Sequence, residues 1–162
     1  MENSNANQPV VLDGFVKPGF IARVYSLLLF PSCMVICKTG NFGASSAGSM
    51  RASMGGNVGD GAILGAIGEI FDSARRNKRM EKAASLLSKS PEEIAQSDKR
   101  NFLIRHIDID KVEVKGPNFA GEIKLRIHTS SKTYKLRLDG QNKSSQKFLV
   151  KTLSEYMPGK VF

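Results

Sequence analysis

The residues from Ile123 to Leu138 restrict the fold more than any other stretch of the chain. Ile123, Leu125 and Ile127 alternate with Lys124, Arg126 and His128. Successive side chains of a strand point to opposite faces, so this pattern describes a strand with one face in a core and one in water. Thr129-Ser130-Ser131-Lys132 is a polar, turn-forming link. Tyr134, Leu136 and Leu138 then alternate with Lys135 and Arg137. Two such runs joined by a short polar link predict an antiparallel hairpin. Its apolar face gathers Ile123, Leu125, Ile127, Tyr134, Leu136 and Leu138. Its other face carries Lys124, Arg126, His128, Lys135 and Arg137, a plane of cations suited to an anionic surface.

The flanking residues extend this sheet. Phe102 to Ile107 reads as a strand, Ile109 follows in a short polar segment, and Val112 and Val114 alternate with Lys111, Glu113 and Lys115 as a further strand. Gly116-Pro117-Asn118 breaks it, and Asp139-Gly140 ends the hairpin. Leu149, Val150, Leu153, Tyr156 and Met157 recur at helical spacing, with Asn142 or Ser144 as the N-cap and Pro158-Gly159 as the stop. The run NFLIRHIDIDKVEVKGPNFAGEIKLRIHTSSKTYKLRLDG, Asn101–Gly140, together with the helix after it, resembles the C-terminal half of bacterial and archaeal pleckstrin-homology-like (PH-like, GRAM-like) domains. The resemblance rests on a strand, the short HIDIDKVEV segment, a charged hairpin and a capping helix. It implies an α+β fold: a small antiparallel β-barrel or curved sheet with a C-terminal helix over one open end. It also implies a non-enzymatic binding or adaptor module. Many eukaryotic PH domains hold phosphoinositides with basic residues around their first two strands, and here that region carries only Lys17 and Arg23.

Earlier in the chain, residues 1–9 form a polar tail, and 10–162 are expected to be a single domain. Val10 to Val16 suggests a strand containing Gly14, followed by the turn Lys17-Pro18-Gly19. Phe20 to Phe30 and Cys33 to Lys38 suggest a second hairpin about Pro31-Ser32. Residues 40–100 read as a Gly-rich, helical insertion between the two halves of the sheet. From Val58 a helical pattern places Ile63, Ile67, Ile70, Phe71 and Ala74 on one stripe and Gly61, Gly65 and Gly68 on another. Glycine costs a helix about 1 kcal/mol relative to alanine. Three on one face therefore point to close packing with another helix, in the chain or in a second copy. Arg75, Arg76, Lys78 and Arg79 follow as a basic cluster that could anchor that helix at an anionic membrane. Met80, Ala83, Ala84 and Leu87 continue a helical pattern. Ser90-Pro91-Glu92-Glu93 carries a capping box with proline at the first helical position.

The chain has 162 residues and a net charge of +9, from 24 Lys and Arg against 15 Asp and Glu. That balance favours anionic partners, whether an anionic phospholipid surface, an acidic protein or nucleic acid. Cys33 and Cys37 are the only cysteines and cannot complete a zinc site without other ligands, so buried free thiols in a reducing compartment are expected. No metal or cofactor is expected. The longest apolar run, Tyr25 to Cys37, is short of the ~20 residues a membrane span needs, and the polar start does not read as a signal peptide. A cytoplasmic protein, peripheral at the inner face of the membrane, is the resulting expectation. No Ser-His-Asp, Cys-His or paired-carboxylate set stands out, and His106 and His128 show no sequence neighbour that would make either a base. An enzyme is therefore not expected. The alternative function is nucleic-acid binding through the same basic surface.

Overall fold

A computed structural model of the chain describes residues 9–17, 23–41, 77–79 and 81–162. Gly61, Gly65, Gly68, Arg75 and Arg76 lie outside the described residues, as does nearly all of the polar tail. The strands are β1 (Val10–Lys17), β2 (Arg23–Leu29), β3 (Cys33–Asn41), β4 (Phe102–Arg105), β5 (Ile109–Lys115), β6 (Ile123–Thr129) and β7 (Thr133–Leu138). The helices are α1 (Pro91–Gln96) and α2 (Lys143–Tyr156), and residues 77–79 and 81–86 are also helical.

The strands make one antiparallel sheet in the order β4-β3-β2-β1-β7-β6-β5. At about 4.8 Å per strand, a flat sheet would put β4 and β5 about 29 Å apart. Only the 3₁₀ turn His106–Asp108 separates them in the chain, so the sheet has to curl. Side chains from both halves accordingly meet in one core: Phe15, Tyr25, Leu27 and Met34 from one half, Val112, Ile123, Leu125 and Ile127 from the other. Leu149, Leu153, Tyr156 and Met157 of α2 and its C-cap complete it. The edge strands β4 and β5 do not pair with each other, so the sheet curves without closing into a barrel. Its weakest seam is between β1 and β7, which share the single register pair Val16↔Arg137.

The corner between β4 and β5 departs from the expected strand Phe102–Ile107. The strand ends at Arg105, and Ile109 opens β5 fully buried. Lys160 Nζ donates 2.7 Å hydrogen bonds to the carbonyl oxygens of His106 and Ile109, which pins this corner. The C-terminal residues run on beside β5, with Val112 N–H donating to Lys160 O at 2.7 Å and Phe162 N–H to Val112 O at 2.8 Å.

The first half of the sheet is covered on both faces. Leu28, Phe30, Cys33, Val35 and Cys37 point away from the main core and pack with Ala83 and Ile94 from the helical segments. This double burial explains why residues 27–30 and 33–37 are apolar without alternation. The expected capping box is present: Glu93 N–H donates to Ser90 Oγ at 3.3 Å, and Ser90 N–H donates to the Glu93 carboxylate at 2.9 Å. Asn101 ties α1 down, accepting from Lys38 N–H and donating to Ile94 O, both at 2.8 Å. Asn142, one of the two candidates, caps α2 by accepting from Ser145 N–H at 2.9 Å. The segment expected as an insertion leaves from β3 and returns at β4, which are neighbours in the sheet.

Candidate functional site

The hairpin forms in the expected register, with Leu125 opposite Leu136 and Ile127 opposite Tyr134. Ile123, Leu125, Ile127 and Leu136 are buried, whereas Tyr134 and Leu138 are half-buried because they lie at the ends of the short strand β7. The opposite face carries Lys124, Arg126, His128, Lys135 and Arg137 towards solvent, as the alternation requires.

Most cations on that face are paired, Lys135 being the exception among the described residues. Strand β5 runs alongside β6 and places Glu113 opposite Arg126. The Glu113 carboxylate lies 2.7 Å from Lys111 Nζ, 3.8 Å from Lys115 Nζ, 4.0 Å from Arg126 and 3.5 Å from His128 Nε2. The hydrogen bond from Lys111, with the nearby cations, holds its pKa down to about 2. Glu122 lies 3.3 Å from Lys124 and 3.8 Å from Arg137, and Asp139 lies 3.5 Å from Arg137. His128 also has company that its sequence neighbours do not reveal: Thr133 Oγ1 sits 3.2 Å from Nδ1. This is a self-compensating charge lattice on an open sheet face.

The basic cluster before the capping box divides. Lys78 is exposed, but Arg79 Nε reaches Asp13 at 3.4 Å. A bulge between Leu12 and Phe15, with Gly14 at φ +91°, returns Phe15 to the core, while Asp13, next to the inward Leu12, points to the outer face. There it also accepts from Ser26 Oγ at 2.7 Å, and Ser26 meets Thr39 Oγ1 at 3.2 Å. The Arg79 stem passes Gly40 so closely that a Cβ there would lie 3.4 Å from Arg79 Cδ. Arg79 is thus engaged with Asp13 inside the fold, which leaves less of its charge for an external anion. Cys33 and Cys37 are buried free thiols, as expected, and burial raises both pKa values.

A second cationic feature lies on the concave side of the curl. A pocket of about 300 Å³ opens between the first strands and the hairpin. Tyr25, Ile36 and Leu136 are buried at its base, and Phe102 and Tyr134 stand half-buried along its walls. The two rings are 5.5 Å apart and inclined by 60°. Lys132 Nζ lies 4.6 Å from the Phe102 ring centre and 4.7 Å from that of Tyr134, and Lys17 Nζ lies 5.4 Å from the Phe102 ring. These are cation–π distances. The hairpin turn sets Lys132 in place, since Lys132 N–H donates to Thr129 Oγ1 at 3.1 Å and Thr129 N–H to Lys132 O at 2.9 Å. Among the described residues neither Lys17 nor Lys132 forms an ion pair, unlike Lys124, Arg126 and Arg137 on the outer face.

The alternation pattern did not reveal this pocket. Its lining comes from β1, β2, β3, β4 and β7, which are far apart in sequence. The one sequence signal was Lys132, placed in the turn just before the inward-facing Tyr134. Compared with known proteins, the chain matches no family model, no curated protein and no solved structure. No helix among the described residues is long and apolar enough to cross a membrane.

Proposed function

We propose that the chain is a PH-like, non-enzymatic binding module that docks peripherally on anionic membrane surfaces. The fold assignment draws support from the strand order β4-β3-β2-β1-β7-β6-β5 and from the C-terminal helix α2 packed into the curl. The observation that carries the functional reading is the pair Lys17 and Lys132, standing over aromatic rings at the mouth of an apolar pocket without a carboxylate partner among the described residues. An unpaired ammonium near an anionic surface contributes about 1 kcal/mol, whereas one already neutralised by a neighbouring carboxylate gives less. The lysines of the mouth thus lead the contact, and the outward face, with Lys135 unpaired among its described neighbours, adds a weaker, general attraction.

Co-sedimentation with phosphatidylserine vesicles at low salt tests this. Wild type should pellet, and binding should fall as the Debye length shrinks from about 10 Å at 0.1 M salt to about 3 Å at 1 M. Lys17→Glu with Lys132→Glu should lower vesicle affinity by about tenfold or more, since two attractive charges become repulsive. If wild type stays in the supernatant, or the double variant pellets as well as wild type, this reading is wrong. A shift of mixed DNA and RNA probes that depends on the same lysines would move the assignment to nucleic acid.

A further inference from the structure

We propose that the pocket beneath Lys17 and Lys132 takes the apolar chain of an anionic amphiphile, with its head group held between the two ammonium groups. The inference rests on the membrane-docking reading and goes further, because it names what enters the site. Three observations narrow the ligand. The base and walls are mainly apolar, formed by Tyr25, Ile36, Phe102, Tyr134 and Leu136 with Thr133 and Lys135 beside them, and a bare phosphate would leave that apolar surface unused. The mouth is cationic, which disfavours a cationic ligand and leaves a neutral one without a partner for the ammonium groups. The volume of about 300 Å³ is at the small end of ligand sites, which suits one chain rather than two.

Lys132 acts as the gate group in this picture. Its Nζ now rests against both rings, where it covers the aromatic walls. An entering chain takes that place on the rings, and the ammonium swings outward to meet the head group. The lysine therefore keeps a partner in both states: the ring faces when the pocket is empty, an anion when it is filled.

The ligand chemistry has two possible sources, a free fatty acid and a chain of a bilayer lipid, and the experiment separates them. Titration calorimetry with octanoate, decanoate and dodecanoate below their micelle concentrations provides the first arm. Saturable one-to-one binding is expected, strengthening about fourfold per added methylene until the pocket is full and then levelling off. Decyltrimethylammonium, with the opposite charge, should bind at least about tenfold more weakly than decanoate. Of the three tyrosines in this tryptophan-free chain, Tyr25 and Tyr134 line the pocket, so tyrosine emission should change with the same isotherm. Lys17→Gln with Lys132→Gln, checked for folding by circular dichroism, should weaken decanoate by about tenfold. The second arm adds decanoate to vesicle-bound protein: release shows that a lipid chain occupies the same pocket, and retention assigns the pocket to the free acid alone.

The proposal is overturned if decanoate does not saturate, if the cationic detergent binds as well, or if the double variant binds unchanged. Decanoate failure with vesicle binding intact removes the pocket ligand and leaves membrane docking standing. Decanoate binding with no vesicle binding removes membrane docking and leaves the pocket standing.

Discussion

Glu113 compensates the largest group of cations on the outward face. Its carboxylate is surrounded by Lys111, Lys115, Arg126 and His128, and its pKa is lowered to about 2 from the ordinary 4.5. The folded protein therefore releases this proton more readily than the unfolded chain does. Its contribution to stability is complete above pH 4.5 and is lost as the pH falls towards 2. Thermal melting of wild type and Glu113→Gln should show wild type ahead at pH 6 and the two curves converging near pH 2. A gap that stays constant across that range would mean the carboxylate acts through shape alone. Asp98, held at about 2 by Arg100, titrates in the same window in both proteins and so cancels in the comparison.

At the scale of elements, the hairpin β6–β7 is the best-specified unit. Leu125 faces Leu136 across the ladder and is buried in the main core, so Leu125→Ala should destabilise the protein by about 2–5 kcal/mol, read from chemical denaturation. An unchanged midpoint would mean that the strand sits in the other register. The hairpin was legible because its outer face lies open to water, which leaves a clean alternation. The apolar run of β2 and β3 was less informative, since Ala83 and Ile94 cover the face that would otherwise be polar. The turn at His106–Asp108 was missed for a different reason. Nothing local forces it; it exists because the sheet has to turn a corner there, with Lys160 collecting the freed carbonyl groups.

For the whole molecule, the question is what holds the helical cover against the first half of the sheet. One polar link is the chain Arg79–Asp13–Ser26–Thr39, which reaches across three strands. Asp13 is only 8% exposed, so removing its cation leaves a nearly buried carboxylate with one hydroxyl donor. Arg79→Leu should cost about 1–3 kcal/mol. Adding Asp13→Asn should recover part of that loss, the signature of a direct coupling in a double-mutant cycle followed by urea unfolding. Strictly additive losses would show that Arg79 contributes through packing of its stem rather than through its charge.

The sequence by itself determined the units whose causes are local. Period-two alternation set the hairpin and its faces, a serine and a glutamate set the start of α1, and helical spacing set the buried side of α2. Tertiary structure alone decided which charges are available. Lys124, Arg126, His128, Lys135 and Arg137 lie on the outward face of the hairpin, but Glu113, which pairs with Arg126 and His128, comes from a neighbouring strand whose register no local pattern encodes. Arg79 reads in the sequence as one member of a basic run, and only the packing of its segment on the sheet brings it to Asp13 of β1. The pocket under Lys17 and Lys132 is the same kind of case. It joins side chains from five strands, and they meet only because burying one apolar face on a seven-stranded sheet with a three-residue corner makes the sheet curl.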